Sequence, residues 1–235
     1  MFSKNNTAKE YVLRSVAEII QEKPAVSILD FACGTCLIWK SFFEKFGNIN
    51  FSGFDFNAES IRTAREKFPS FKEKIFVLDG QQNLPFINHF DIITTFSSLE
   101  HVLDKRAFLE NIKKLLKSEG IAFINYDHGH FRKGLFNDLI NFLSQLIAKI
   151  GITEKYFTKK VEIEEIKEIL KEIELEIMDI KFFNVQELKT LYKKIPDLKL
   201  IENWYEYEIT LNSYSNKKFL EEKLSSVVMQ VRKNG

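Results

Sequence analysis

The chain has 235 residues, with 34 lysines and arginines against 33 aspartates and glutamates, so its formal net charge is +1. Its hydrophobic fraction of 45% and charged fraction of 29% are ordinary for a globular protein and exclude disordered, collagen-like and coiled-coil classes. The balanced charge argues against a nucleic-acid groove or a polybasic membrane patch, and no apolar run approaches the roughly 18–20 residues of a membrane span.

Two cysteines cannot build a disulfide framework, and the first residues lack the apolar segment of a secretory signal. We therefore expect a cytoplasmic protein, either a monomer or a homodimer, that binds a small molecule rather than a nucleic acid or a membrane.

Apolar periodicity predicts that strands and helices alternate through the first 126 residues. The predicted helices are 8–21, 37–46, 58–68 and 104–117, and the predicted strands are 27–31, 50–54, 74–78, 90–96 and 121–126. Asn57 and Asp104 are placed to cap the helices that follow them, and Gly120 is placed to end the last of these helices. This alternation predicts an α/β fold with a parallel sheet covered on both faces.

Beyond residue 127 the pattern loosens, with predicted helices at 131–158 and 161–173 and predicted strands at 175–183 and 226–232. We expect one domain over residues 1–235, with residues 1–25 as an N-terminal helical cap. The segments 128–160 and 184–224 are interpreted as insertions that form a lid over the substrate.

Acidic and small residues follow the predicted strands, at the edge where parallel sheets bind their ligands. Ala32 and Gly34 would let a ligand approach the backbone closely. Asp55 can accept both hydroxyls of a ribose, Phe56 offers an aromatic face to a base, and Asp79 can accept from an exocyclic amine. The helix after the first turn presents N–H groups to an anion. Together these features predict an adenosine that carries a charged appendage.

The first turn distinguishes between adenosine ligands. It lacks the third glycine of the GxGxxG pattern, which argues against a dinucleotide. The segment ILDFACGTC (28–36) instead resembles the first motif of the class I S-adenosylmethionine-dependent methyltransferases, approximately hhDhGCGTG. Segments resembling the later motifs of that family follow in order, at 53–68, 77–86 and 90–124.

This resemblance implies a doubly wound, Rossmann-like, mostly parallel seven-stranded sheet with helices on both faces and an antiparallel last strand. It implies S-adenosylmethionine as cofactor and S-adenosylhomocysteine as product. Residues of the first turn would surround the methionine part, those after the second and third strands would hold ribose and adenine, and those after the fourth would lie near the methyl donor. In that order, the implied residues are Asp30, Ala32, Cys33, Gly34, Asp55, Phe56, Asp79, Gly80, Phe96 and Ser97.

Two positions leave alternatives open. Cys36 stands where the family has glycine, so we expect its sulfur to lie close to the cofactor and to affect affinity. The CxxC spacing of Cys33 and Cys36 is also compatible with redox chemistry or a metal, but two cysteines make a poor zinc site. Tyr11 on the first helix is either a residue that closes over the cofactor or a core residue.

Three histidines are candidate general bases for an oxygen acceptor: His101, His128 and His130. His128 and His130 are alternatively a metal pair or ordinary loop residues, and a place in the substrate pocket is favoured for them. His101 has an alternative role as a helix-start residue that lines the pocket. A metal beside Glu100 is disfavoured because Ser97 and Ser98 stand where a further acid would help, so we expect no metal.

The favoured function is methyl transfer to a small molecule, most simply to a hydroxyl oxygen, in an apolar pocket that Phe96, Phe131 and Phe136 would line. Transfer to the nitrogen of a small amine is the first alternative. A catalytically silent subunit that binds cofactor, and a nucleotide-dependent oxidoreductase, are the others. The segment TFSSLEH, after the fourth strand, lacks the Asn/Asp-Pro-Pro-Tyr pattern of enzymes that methylate amino groups of bases or glutamine amides.

Overall fold

The computed structural model describes residues 1–3, 6–23, 25–47, 49–82, 84, 88–128, 160–195, 197–214 and 216–233. The helix predicted at 131–158, with nearly all of the first insertion, lies outside these described residues. Within them, no helix is long and apolar enough to cross a membrane.

The strands and helices lie close to their predicted positions. The helices are α1 (Thr7–Glu22), α2 (Lys40–Phe46), α3 (Ala58–Lys67), α4 (Lys105–Leu115), α5 (Ile163–Glu172), α6 (Gln186–Lys194), α7 (Leu198–Tyr214) and α8 (Lys217–Lys223). The strands are β1 (Ser27–Phe31), β2 (Asn50–Asp55), β3 (Ile75–Val77), β4 (Phe90–Phe96), β5 (Leu116–Asp127), β6 (Leu175–Val185) and β7 (Leu224–Lys233). Short 3₁₀ turns cover Leu37–Trp39, Pro69–Lys74 and Leu99–His101.

The seven strands form one sheet in the order β3-β2-β1-β4-β5-β7-β6. Strands β1 to β5 are parallel to one another, and β7 is antiparallel to both β5 and β6. Helices pack on both faces, with α4 and α5 in one buried cluster and α1, α2 and α3 in the other. The predicted fold class is therefore confirmed, including the antiparallel last strand. Because β1 to β4 are parallel, their carboxyl ends lie at one edge of the sheet.

Short polar side chains start the helices as predicted. Asn57 Oδ1 accepts the N–H groups of Glu59 and Ser60, each at 3.0 Å, and Asp104 Oδ1 accepts that of Ala107 at 2.9 Å. Each cap satisfies backbone donors that have no partner within the helix. These caps fix where α3 and α4 begin, directly beside the carboxyl edge.

The role predicted for Gly120 is wrong. Helix α4 ends at Leu115, and Gly120 lies inside β5, whose pairing with β4 is irregular between Phe90 and Ile92. A Cβ on Gly120 would lie 2.8 Å from Leu116 Cδ1 and 3.1 Å from the Asp91 carbonyl oxygen. The glycine therefore permits a close approach of two strands, a need that helical periodicity does not reveal.

The segment 184–224, which has no clear period in the sequence, forms the end of β6 followed by α6, α7 and α8. The fully buried Glu208 on α7 connects this segment by hydrogen bonds to the rest of the fold. The Glu208 carboxyl accepts hydrogen bonds from the Thr7 hydroxyl, the Trp204 indole at 2.5 Å and the backbone N–H groups of Asn184 and Val185 at 3.0 and 2.6 Å. One side chain thus joins α7, the end of β6 and the start of α1. That this segment acts as a lid remains a prediction.

We expect Glu208→Ala to lower the free energy of unfolding by about 3 kcal/mol or more, because it leaves several buried donors without an acceptor. Urea denaturation measures this change. Glu206→Ala is the matched control: Glu206 is exposed and forms a distant ion pair with Arg14, so its loss should cost less than about 0.5 kcal/mol. Equal effects of the two variants would contradict the assigned role of Glu208.

Candidate cofactor site

A cavity of about 480 Å³ opens at the carboxyl ends of β1, β2 and β4. This volume lies within the usual range for small-molecule sites, roughly 300–1,000 Å³. The cavity collects residues predicted from four separate strand ends. Those lining it are Asp30, Ala32, Cys33, Gly34, Asp55, Phe56, Asp79, Gly80, Phe96 and Ser97.

The turn after β1 has an unusual backbone. Ala32, Gly34 and Cys36 have φ values of 66°, 53° and 54°, in the left-handed region. At Ala32 and Cys36, where the methyltransferase motif has glycine, this conformation costs on the order of 1 kcal/mol each. Two backbone hydrogen bonds hold the turn: the Cys33 N–H donates to the Phe54 carbonyl of β2 at 2.9 Å, and the Cys36 N–H donates to the Cys33 carbonyl at 3.0 Å.

The expectation that the Cys36 sulfur approaches the cofactor is wrong. Cys36 is fully buried and is not among the residues that line the cavity. A Cβ on Gly53 would lie 3.0 Å from Cys33 Sγ and 3.6 Å from Cys36 Sγ, so both sulfurs fill space above β2. A hydrogen bond with the Cys36 thiol, together with burial, raises the pKa of the Cys33 thiol. The left-handed backbone turns the Cys36 side chain into the core, which motif spacing does not predict.

Asp30 ends β1 as a buried acid with two partners. Its Oδ2 accepts the Trp39 indole N–H at 2.8 Å, and its Oδ1 accepts the Thr94 hydroxyl at 3.1 Å. Burial raises its pKa to about 7, against the opposing effect of these hydrogen bonds and of Lys9. Asp30 therefore ties the first turn to β4 and the 3₁₀ turn before α2.

Asp55 joins the first two loops. Its Oδ2 accepts the Gly34 N–H at 2.9 Å, and its Oδ1 accepts the Asn57 N–H at 2.8 Å. A carboxylate has about four acceptor sites, so each oxygen keeps one for a ligand. Phe56, next in the chain, is half exposed at the cavity.

The third loop is fixed by α4. Asp79 Oδ1 accepts the Gln81 N–H at 2.9 Å, and the Asn111 amide donates to the Gly80 carbonyl at 2.9 Å. A Cβ on Gly80 would lie 2.7 Å from Phe31 Cε1 and 3.1 Å from Phe108 Cε2. Close packing of this loop on two aromatic rings therefore explains the glycine at position 80.

At the end of β4, Ser97 adopts a positive φ of 51° and donates its N–H to the Asn125 carbonyl at 2.9 Å. Phe96 is nearly buried beside it. Ser98 follows at the cavity, and so does His101, an exposed side chain on the 3₁₀ turn.

Other predicted residues do not line the cavity. Tyr11 packs on Phe183, with ring centroids 5.1 Å apart, which is the core alternative raised by its sequence. His128 is buried near Phe182, hydrogen-bonds the backbone of Leu224, and has its pKa lowered mainly by burial. Of the two candidate bases that the structure describes, His101 lines the cavity and His128 does not, because β7 pairs against the end of β5 and encloses His128. His130, Phe131 and Phe136 lie outside the described residues.

Sequence reasoning missed several cavity residues, above all Lys9 on α1. Helical periodicity identifies the core side of α1 but not which flanking residue faces a ligand. The other residues that it missed are Thr35, Leu37, Ile38, Phe54, Asn57, Ser60, Leu78, Gln81, Ser98, Val102 and Phe108. Most of these neighbour a predicted residue, so their loops were identified even where the residues were not.

Glu100 is a second buried acid near this edge. Burial, together with the nearby Asp127 carboxylate, raises its pKa to about 7, and its Oε2 has no hydrogen-bond partner among the described residues. In the part of the chain that the structure describes, no group of three or more histidine, cysteine or acidic residues is arranged to hold a metal ion.

Comparison with known proteins finds a family match within the first half of the chain. Residues 29–122 match the family described as "Methyltransferase domain". An uncharacterized methyltransferase of Schizosaccharomyces pombe is 32% identical over 113 residues, covering 44% of this chain and 39% of that protein. The mitochondrial ubiquinone biosynthesis O-methyltransferase of Candida albicans is 30% identical over 113 residues, covering 46% of this chain and 34% of that protein. The chain thus matches little more than a third of the length of each.

A longer but weaker match is the ubiquinone/menaquinone biosynthesis C-methyltransferase of Shewanella oneidensis, 28% identical over 174 residues and 68% of each chain. Among solved structures, the phosphoethanolamine N-methyltransferase 2 of Haemonchus contortus, in complex with S-adenosylmethionine, has a TM-score of 0.60 at 17% identity, over 94% of this chain and 52% of that one. The cyclase SpnF has a TM-score of 0.59 at 14% identity, over 94% of this chain and 81% of that one. At these identities the structures establish the fold alone.

The raised pKa of Asp30 predicts a pH-dependent stability. The folded chain holds a proton on Asp30 up to pH of about 7, whereas an unfolded aspartate loses it near pH 3.9, so stability falls as the pH rises from 5 to 7. We expect Asp30→Asn, which keeps an acceptor for the Trp39 indole, to reduce this fall by about 1 kcal/mol per pH unit. Urea denaturation at pH 5, 6 and 7 measures the slope.

Asp91→Asn is the matched control. Burial alone would raise the pKa of Asp91, but the Lys117 ammonium and the Ser27 hydrogen bonds lower it, so Asp91 is ionised in both states above pH 5. This variant should change the stability equally at the three pH values. An unchanged slope in Asp30→Asn would contradict the assignment of the bound proton.

Proposed function

We propose that this chain, whose residues 29–122 match the methyltransferase-domain family, is a class I S-adenosylmethionine-dependent methyltransferase that transfers a methyl group to a small-molecule acceptor. The observation that carries the proposal is the meeting of the family's motif residues from four strand ends around one cavity. When bound there, S-adenosylmethionine supplies a methyl group activated on a sulfonium.

The residues present fit this cofactor. Asp55 keeps acceptor sites for two ribose hydroxyls, and Phe56 offers an exposed ring for the adenine. Asp79 and Gln81 supply polar groups at the adenine edge. A Cβ built on Gly34 would meet no atom within 4 Å, so the first turn leaves open space for the methionine part.

The chain's own contribution to the reaction is orientation and exclusion of water. Phe96 gives the cavity an apolar side chain at the end of β4, and Val102 and Phe108 add apolar surface elsewhere on its wall. An apolar wall favours methyl transfer from a sulfonium to an anion, because charge separation decreases in the transition state. Holding the acceptor close to the methyl group supplies much of the acceleration.

The proposed acceptor atom is a hydroxyl oxygen. The O-methyltransferase of Candida albicans supports this choice, while the Shewanella enzyme and the Haemonchus enzyme keep carbon and nitrogen acceptors as alternatives. An oxygen acceptor needs a group that removes its proton, and His101 is the candidate base placed at the cavity. We infer that His101 has this role, and that the segments 128–160 and 184–224 select the acceptor.

We expect the chain to bind S-adenosylhomocysteine with a micromolar Kd and Asp55→Ala to weaken binding by about 100-fold or more. The variant removes the ribose acceptor and also frees two loop amides. Titration calorimetry measures both affinities. Glu59→Ala, which alters an exposed acid on the next helix, is the control and should bind like the wild type. No binding by the wild type would contradict the proposed function.

Release of S-adenosylhomocysteine from S-adenosylmethionine, measured with panels of phenols, small amines and quinols, tests the acceptor. We expect turnover with a hydroxyl acceptor, and we expect His101→Gln to lower kcat by about 100-fold at unchanged cofactor affinity. Turnover with amines alone would contradict the oxygen assignment. Tight cofactor binding without turnover on any panel would favour the catalytically silent subunit.

A further inference from the structure

A second cavity, of about 230 Å³, opens on the face of the sheet that carries α4. It runs from Asn50 and Phe90, the first residues of β2 and β4, inward to Phe54. Among the described lining residues, Phe54 is the only one that it shares with the cofactor cavity. The second cavity therefore lies outside the site assigned to methyl transfer.

The cavity exists because this part of the sheet has little helical cover. The connections from β1 to β2, from β2 to β3 and from β4 to β5 carry α2, α3 and α4. Between Val77 at the end of β3 and Phe90 at the start of β4, the residues that the structure describes form no helix. Helix α4 reaches the cavity with Leu115, its last residue. The uncovered face of β2 and β3 thus forms a recess.

The interior of the recess is apolar. Its lining side chains are Leu29, Phe54, Phe76, Phe90 and Leu115, of which all but the half-buried Phe76 are buried. A cavity of roughly 150 Å³ with such a lining stays dry and binds benzene. At about 230 Å³ the recess has room for one aromatic ring with a short chain, and it is smaller than the roughly 300–1,000 Å³ of sites for larger ligands.

The mouth of the recess is polar and positively charged. Asn50, Ser52 and Phe54 alternate along β2 and all line the cavity, so this face of the strand changes from polar outside to apolar inside. The Lys74 ammonium donates to Asn50 Oδ1 at 3.1 Å, which uses one of its three N–H donors. None of the lining residues described by the structure is acidic. The mouth therefore favours an anion.

His89 adds an imidazole to this mouth, and its position is fixed from two sides. Its backbone N–H donates to the Leu115 carbonyl at 2.8 Å, and its ring packs on Phe90 with centroids 4.9 Å apart. Both partners are themselves lining residues, so the end of α4 and the start of β4 hold His89 beside the opening. Little of this arrangement has to be ordered when a ligand binds, which limits the entropic cost.

We propose that this recess is a second ligand site, which binds a small aromatic carboxylate. The ring lies among the apolar side chains, and the carboxylate lies at the mouth with Lys74, Ser52 and His89. The site does not depend on the proposed function, because it uses a different cavity. Through Phe54, whose carbonyl accepts the Cys33 N–H, its ligand would nevertheless contact a residue that also lines the cofactor cavity.

The test uses two probes that differ in the charged group, 3-phenylpropanoate and the neutral 3-phenylpropan-1-ol. Ligand-observed NMR titration gives the Kd of each for the full chain. We expect the wild type to bind 3-phenylpropanoate with a Kd of about 0.1–1 mM and the alcohol about fivefold more weakly, since the pairing with Lys74 is solvent-exposed. Equal binding of the two probes would overturn the assignment of an anion site, and binding of neither would overturn the proposal.

Two variants locate the bound probe. Lys74→Met should reduce the preference for the carboxylate to within about twofold, whereas Lys72→Met removes an exposed lysine of the same 3₁₀ turn that does not line the recess and should leave the preference unchanged. Ser52→Leu should fill the recess and weaken both probes by about tenfold or more, with folding checked by circular dichroism. An undiminished preference in Lys74→Met would overturn the proposal even if Ser52→Leu does not fold.

Titration in the presence of S-adenosylhomocysteine separates the two cavities. We expect any change in the Kd of 3-phenylpropanoate to level off at saturating S-adenosylhomocysteine, as separate sites that share Phe54 require. A Kd that keeps rising in proportion to the S-adenosylhomocysteine concentration would place the probe in the cofactor cavity and overturn the proposal. Failure of S-adenosylhomocysteine to bind would contradict the proposed function alone, because the variants at Lys74 and Ser52 test the second site without it.

Discussion

The Asp55 carboxylate accepts one hydrogen bond from a backbone N–H of the turn after β1 and another from a backbone N–H of the loop after β2. This interaction makes two independent loops into one unit, and the geometry of the cavity depends on it. The cavity also depends on the sheet. Because β1, β2 and β4 are parallel, their carboxyl ends lie at the same edge. A ligand that reaches Asp55 therefore meets a site whose loops are already in place.

Much of this arrangement follows from sequence because it depends on local rules. A few adjacent residues are enough to identify a strand by its periodicity, a polar helix cap such as Asn57, or an acid at the end of a strand. The family resemblance then predicts the order of the strands in the sheet, which local rules alone do not. Asp30 and Asp55 were found in this way, and the structure brings both to the cavity.

The features that sequence did not give depend on contacts between distant segments. Gly120 is required by the approach of β5 to the Asp91 carbonyl, and Cys36 is turned into the core by a left-handed backbone. His128 is enclosed by β7, which lies about a hundred residues later in the chain. Lys9 faces the cavity because of how α1 is anchored, and nothing in its own neighbourhood indicates a ligand.

That anchoring has a consequence for how the protein is made. Thr7 is held by Asn184 and Glu208, which follow it by 177 and 201 residues. During synthesis the strands that carry the methyltransferase motifs leave the ribosome long before Glu208 does. Helix α1 therefore cannot be anchored beside the cavity until most of the chain has been made. Contacts of such long sequence separation form late and slow folding. A nascent chain would therefore form the carboxyl edge of its parallel strands well before it forms the complete ligand pocket.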